Sequence, residues 1–122
     1  MSKPLKIFIS GPYTAVTQRQ IEVNVRMAIH AGWEVMQQGH YPFVPHLNHY
    51  IDRHSKMLEM GVFSWDQWMD WCLKWLVGCD ALYSIGNSRG ADIEYAFALD
   101  HGIEVYEYAN TIPKLSELPC QD

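Results

Sequence analysis

Apolar residues alternate along this chain between short β-like runs and longer stretches of helical period. The first run, Leu5-Lys6-Ile7-Phe8-Ile9-Ser10, is β-branched and aromatic and leads into the turn-forming cluster Ser10-Gly11-Pro12-Tyr13-Thr14. It predicts a buried first strand. From Thr17 to Gln38 the apolar positions Ile21, Val25, Ala28, Ile29 and Gly32 recur every three or four residues. Val35 and Met36 extend that side, and Gly39 is a natural stop. This predicts a helix packed on the sheet. Tyr41 to Val44 fits a short strand, with Pro42 at its start or on an edge and Pro45 at its end. His46, Asn48 and His49 then emerge in a loop. Residues 51–61 mix charges and methionines and read as a mobile flap or a subunit contact. Ser64 to Val77 is helical again, opening on Ser64-Trp65-Asp66-Gln67 with an acidic first turn. Its stripe of Trp68, Trp71, Cys72, Trp75 and Leu76 suits a core or subunit interface. Asp80 to Gly86 predicts a third strand, Ala91 to His101 a helix, and Ile103 to Tyr108 a last strand. The tail from Ala109 carries two prolines and no period, so it is expected to be irregular.

Strand and helix therefore alternate, which predicts one α/β domain over residues 1–122: a small, doubly wound, mostly parallel sheet flanked by helices. In such sheets ligands bind beyond the carboxyl ends of the strands. That rule brings three loops together: Gly11 to Thr14, His46 to His49, and Ser88 to Glu94.

The third loop is the most suggestive. In Ser88-Arg89-Gly90-Ala91-Asp92-Ile93-Glu94, a hydroxyl, bare backbone N–H groups and a helix N-terminus suit an anion. Glu94 is expected on the first turn of the helix, near whatever binds. The plainer reading makes Ser88 a helix cap and Asp92 or Glu94 a partner of the helix dipole. The first loop adds Ser10, Gly11, Pro12 and Tyr13 as candidate binding or catalytic positions, and the second adds His46 and Asn48. No Walker motif, GxGxxG or GxSxG occurs. A carboxylate displacement at an anomeric carbon fits these residues better, with one carboxylate as nucleophile and another group for acid–base work. Glu94 is the expected nucleophile, ionised at neutral pH as a free glutamate is. Asp70 is the expected acid–base group, with Asp66, four residues before it, as second choice. Tyr13 completes the candidate catalytic set. The spacing of His40, His46 and His49 matches no standard zinc motif, so no metal is expected.

Composition narrows the partners. The chain has 122 residues, 48% of them hydrophobic and 13% aromatic, and a net charge of -5. No basic run appears, which argues against extended contact with nucleic acid. No stretch approaches the roughly 20 apolar residues of a membrane span. Cys72, Cys79 and Cys120 form no CxxC pair and read as reduced thiols. With no apolar leader in Met1 to Lys6, the expected location is cytoplasmic.

These residues also carry a resemblance. Ile7-Phe8-Ile9-Ser10-Gly11-Pro12-Tyr13 resembles the opening of the nucleoside 2-deoxyribosyltransferase superfamily. So do Cys79-Asp80-Ala81-Leu82-Tyr83, followed by Ser88-x-Gly90-x-x-x-Glu94-x-x-x-Ala98, and Gly102-Ile103-x-Val105-Tyr106. The His40 to His49 segment and the tryptophan-rich helix resemble its DUF4406 branch. The resemblance implies a flavodoxin-like fold and a homodimer or higher homo-oligomer. It implies cleavage of the N-glycosidic bond of a nucleoside or nucleotide without metal or organic cofactor. Glu94 would attack C1′. Ser88, which matches the phosphate-holding serine of the 5′-monophosphate hydrolases, would bind phosphate with Gly90 and Arg89. Asp70 lies near the place of the superfamily's catalytic aspartate, although a strict alignment sets Cys72 there. The expected activity is hydrolysis of a (deoxy)nucleoside 5′-monophosphate. Deoxyribosyl transfer, a non-catalytic nucleotide-binding module and a metal-dependent hydrolase built on His46, His49 and an aspartate are the alternatives.

Overall fold

The computed structural model describes residues 3–119. Its strands are β1 (Lys6–Ser10), β2 (Tyr41–Phe43), β3 (Ala81–Ser84) and β4 (Glu104–Tyr106), and its helices are α1 (Gln18–Gln37), α2 (Asn48–Met57), α3 (Trp65–Leu76) and α4 (Arg89–Asp100). The sheet order is β2-β1-β3-β4, and every pairing is parallel. Chain direction across the sheet reverses between β1 and β3, whose register pairs Ile7 with Ala81 and Ser10 with Ser84.

The two-residue period of the strands sorts their side chains onto two faces. Ile7, Ile9, Ala81 and Tyr83 meet Ala28, Ala31 and Val35 of α1. Phe8 and Leu82 meet Cys72 and Leu76 of α3 and Ala98 of α4. This is a doubly wound α/β sheet, as the alternation of elements predicts. Local signals fix the helix starts. Thr17 Oγ1 accepts from Gln20 N–H at the head of α1, and Ser64 and Gln67 form a reciprocal capping box at the head of α3. Among the described residues no helix is long and apolar enough to cross a membrane.

Rings form a ladder from the core outward. Phe8 stacks on Phe43 at 5.6 Å, Phe43 meets Trp71 at 5.9 Å, Trp71 meets Trp68 at 6.0 Å, and Trp68 meets Phe63 at 5.0 Å between centroids. Trp75 joins it through Phe43 and Trp71. The stripe on this helix therefore serves the core in part, while Trp75 itself is half exposed.

Two expectations need correction, and the tail adds a finding of its own. The seam of α1 runs through Val25, Ala28, Ala31 and Val35, while Ile29 and Met36 face outward. Residues 48–57 form a helix, α2, not a loop and flap. The tail is short on regular structure but firmly docked. It forms 3-10 turns at Ala109–Thr111 and Leu115–Glu117, and Ile112 enters the core under α1. His40 ties the tail to the sheet: its Nδ1 accepts from Leu5 N–H at 3.0 Å and its Nε2–H donates to Pro113 O at 2.6 Å. Cys120 lies outside the described residues.

Candidate functional site

The site is built where β1 and β3 end. Gly11, the first residue after β1, passes so close to the loop after β3 that a Cβ there would overlap the Ile85 side chain. That contact brings the first and third loops together at the reversal of the sheet, where open α/β sheets hold ligands. A cavity of about 520 Å³ opens above it, within the range of small-molecule sites.

Glu94 lies at this cavity. Helix α4 starts at Arg89, so Glu94 stands on its second turn, not its first. Only 6% of it is exposed, and Ser10 Oγ donates to its Oε1 at 2.7 Å. Burial pushes its carboxyl from 4.5 up to about 7, against the opposing pull of the Ser10 hydrogen bond. The expectation of an ordinary glutamate, ionised at neutral pH, is thereby corrected: burial favours its protonated form well above the usual carboxylate range. Cys72, beside it in the cavity wall, is pushed up to about 12 by burial and then by the Glu94 charge. Its thiol stays protonated and is a poor nucleophile.

Ser88 caps α4, its Oγ accepting from Ala91 N–H at 3.1 Å, so the plainer reading of this residue holds in the structure. It also lines the cavity, with its own hydroxyl proton available to a ligand. The Arg89 guanidinium lies 4.5 Å over the Trp65 ring. A Cβ on Gly90 would come within 3.2 Å of Met69 Sδ, so this glycine lets α4 approach α3 as well as bordering the cavity.

Tyr13, His46, Asn48 and His49 complete the wall on the other side of Gly11. His46 is 5% exposed, and its Nε2–H donates to the carbonyls of Gly11 at 3.1 Å and Pro12 at 3.2 Å. Its pKa is lowered by burial, partly offset by those two bonds. The Tyr13 hydroxyl lies 2.8 Å from His49 Nδ1. Burial, and then the nearby Asp52 charge, raise the Tyr13 pKa and keep the hydroxyl protonated.

Not every expected residue reaches the cavity. Ser10 stands behind Glu94, and Pro12 contributes its carbonyl to His46, but neither lines it. Asp70 is the clear correction. Its side chain is 72% exposed and pairs with Lys74 at 3.3 Å on the outer face of α3. Asp66 is exposed as well. The turn of α3 presents Trp65, Trp68, Met69 and Cys72 to the cavity, and Asp66 and Asp70 lie between those positions and away from it. The carboxylate that does share the cavity with Glu94 is Asp52 of α2, ion-paired with Lys56 at 2.8 Å. Both were missed. The signal was the polar repeat His49, Asp52, Lys56, three and four residues apart, on one side of α2.

Among the described residues no group of three or more histidine, cysteine, aspartate or glutamate side chains is placed to hold a metal ion. No curated protein matches the chain by sequence. The family model described as "Domain of unknown function (DUF4406)" matches residues 5–107, most of the chain, and the protein belongs to that family.

Proposed function

We propose that the cavity is an N-glycosidase site that hydrolyses the base–sugar bond of a (deoxy)nucleoside 5′-monophosphate. The observation that carries this reading is Glu94: a carboxyl buried beside an open cavity, with one oxygen held by Ser10. A carboxylate in that setting suits attack on an electrophilic carbon. Ser88, Arg89 and the N-terminus of α4 suit the phosphate. Trp65, Trp68 and Phe63, which also line the cavity, suit a stacked base. The reading extends the resemblance of Ser88-x-Gly90-x-x-x-Glu94 to the deoxyribosyltransferase superfamily.

In the proposed reaction the ionised Glu94 forms a bond from its free oxygen to C1′ as the C1′–N bond breaks. The bonding pair leaves with the base, which takes up a proton. Tyr13, protonated and bonded to His49, takes the acid–base part that the distant Asp70 cannot. Water then attacks C1′, its proton is removed, and Glu94 is released. A second base in place of water gives transfer. A homo-oligomer in the cytoplasm belongs to the same reading, and the exposed apolar side chains of Met57, Leu58, Met60 and Val62, between the end of α2 and α3, support an oligomer.

A second reading rests on the burial of Glu94, which favours its protonated form. A protonated carboxyl donates a hydrogen bond and does not attack, which favours a nucleotide-binding module. One experiment separates the two. The protein is incubated with common and modified nucleoside 5′-monophosphates, with and without EDTA, and free base is followed by chromatography. Base release that resists EDTA and disappears in Glu94→Ala is expected. Release that survives the substitution overturns the glutamate mechanism. A nucleotide that raises the melting temperature and is recovered intact supports the binding module.

A further inference from the structure

Two histidines in the cavity wall each have one ring nitrogen occupied and the other buried without a partner. They are His46, with Nδ1 unpartnered, and His49, with Nε2 unpartnered. Each residue is only 5% exposed. A buried polar atom without a partner is costly and uncommon. Both residues line the cavity, yet both nitrogens are closed off from it, so a slight movement of either ring on binding would give a buried nitrogen the partner it lacks.

The polarity of the first is fixed by its neighbours. Carbonyl oxygens only accept, so the nitrogen that meets both Gly11 O and Pro12 O must carry the hydrogen. The other nitrogen of the neutral ring, Nδ1, is then an acceptor. Protonating it would place a second charge-bearing N–H in a buried wall, which burial disfavours. His49 is adjustable. When the Tyr13 hydroxyl donates to His49 Nδ1, Nε2 carries a hydrogen and donates. When Nδ1–H donates to Tyr13, Nε2 accepts and the hydroxyl donates instead. In either arrangement the pair offers a ligand one donor. The three rings form one cluster, with Tyr13 centred 6.3 Å from His46 and 5.7 Å from His49.

We propose that His46 is a specificity residue: on binding, a small shift of its ring opens Nδ1 to the cavity, where it accepts a hydrogen bond from an N–H or O–H of the ligand, and the Tyr13–His49 pair donates to an acceptor on the same part of that ligand. A sugar hydroxyl satisfies both demands, and so does a base edge with adjacent N–H and C=O. The inference rests on the reading that the cavity holds a nucleotide. It does not depend on that nucleotide being cleaved.

The test is affinity, measured by calorimetry for the 5′-monophosphates of adenosine, inosine, cytidine and uridine and for their 2′-deoxy forms. Wild-type protein is compared with His46→Gln. A glutamine amide nitrogen can keep the donor to Gly11 and Pro12, but nothing in that side chain replaces Nδ1. A site built around a hydrogen bond rejects the analogue that lacks it, so wild type is expected to prefer one member of a pair by about tenfold or more. In His46→Gln that preference should shrink to about twofold or less. Preference for ribo over deoxy identifies the sugar hydroxyl; preference between adenine and hypoxanthine, or between cytosine and uracil, identifies the base edge. The inference is overturned if wild type binds no nucleotide, shows no preference, or keeps its preference in the variant. Nitrogen-15 spectra of the wild-type histidines check it without any substitution: the His46 Nδ1 signal must move with the preferred nucleotide, and a signal that stays in place overturns it. Base release is followed in parallel. Preference without release sinks the glycosidase and leaves the His46 assignment standing.

Discussion

Glu94 links stability to pH in a direction opposite to that of most carboxylates. Its folded value of about 7 lies above its ordinary 4.5. Below about pH 4.5 both folded and unfolded chains hold the proton and no penalty applies. As pH rises from there through 7, the unfolded chain gives up its proton first and stability is lost. At pH 8 the loss approaches about 3 kcal/mol. Glu94→Gln keeps an acceptor for Ser10 and removes the charge. Its melting temperature should match wild type near pH 4.5 and exceed it increasingly up to pH 8, in thermal denaturation followed by circular dichroism. A gap that does not change with pH means the carboxyl titrates normally. Under the proposed mechanism the sign for activity is reversed. Attack needs the ionised form, so kcat/KM for base release should rise with pH around 7 and level off above it. Asp70→Asn should leave base release within about twofold of wild type, since an exposed pair of this kind is worth little to stability and lies far from the reacting groups. At this scale the sequence was a mixed guide. Ser88 and Glu94 stood out because a strand-to-helix turn is a local pattern. Asp70 is suggested by its like-charged partner Asp66 four residues before it and by the superfamily resemblance, but the side of a helix that meets the cavity is settled only by packing.

Helices were legible where apolar period and burial coincide, as along α1 and α3. The phase within α1 shifted because Ile29 and Met36 are apolar yet exposed, while small Ala28 and Ala31 meet the sheet. Helix α2 is not legible for a related reason: its polarity is inside out. Tyr50, Ile51 and Met57 face solvent, while His49 is buried and Asp52 nearly so. Apolar periodicity marks the side facing a dry core, but α2 faces a polar cavity. Two substitutions test the assigned faces by urea denaturation. Leu76→Ala on α3, fully buried, should cost about 2–5 kcal/mol. Met36→Ala on α1 should stay within about 0.5 kcal/mol of wild type. If Met36→Ala is the costlier, the face given to α1 is wrong.

At the scale of the whole molecule, the order of the strands does most to place the chemistry. Both connections that flank the β1–β3 junction rise from the same sheet edge, and the loop containing His46 enters from β2 beside them. Alternating elements in the sequence were enough to foresee three loops at that edge, because parallel strands joined by helices must all point one way. What fills the space between the loops was not foreseeable, since Asp52 and Lys56 arrive on a helix placed by long-range packing. The ring ladder from Phe8 to Phe63 gives this architecture an optical signature. Neighbouring indoles about 6.0 Å apart, Trp68 to Trp71 and Trp71 to Trp75, will pass excitation among themselves. Trp65 and Trp68 border the cavity, so a base stacked there offers that excitation a way out. Filling the cavity with a nucleotide should therefore dim the protein's own ultraviolet emission, and a titration that leaves the emission unchanged would place the base away from these rings. Trp33, on α1 across the sheet, should keep its glow, leaving a built-in reference against which an unlabelled protein reports its own occupancy.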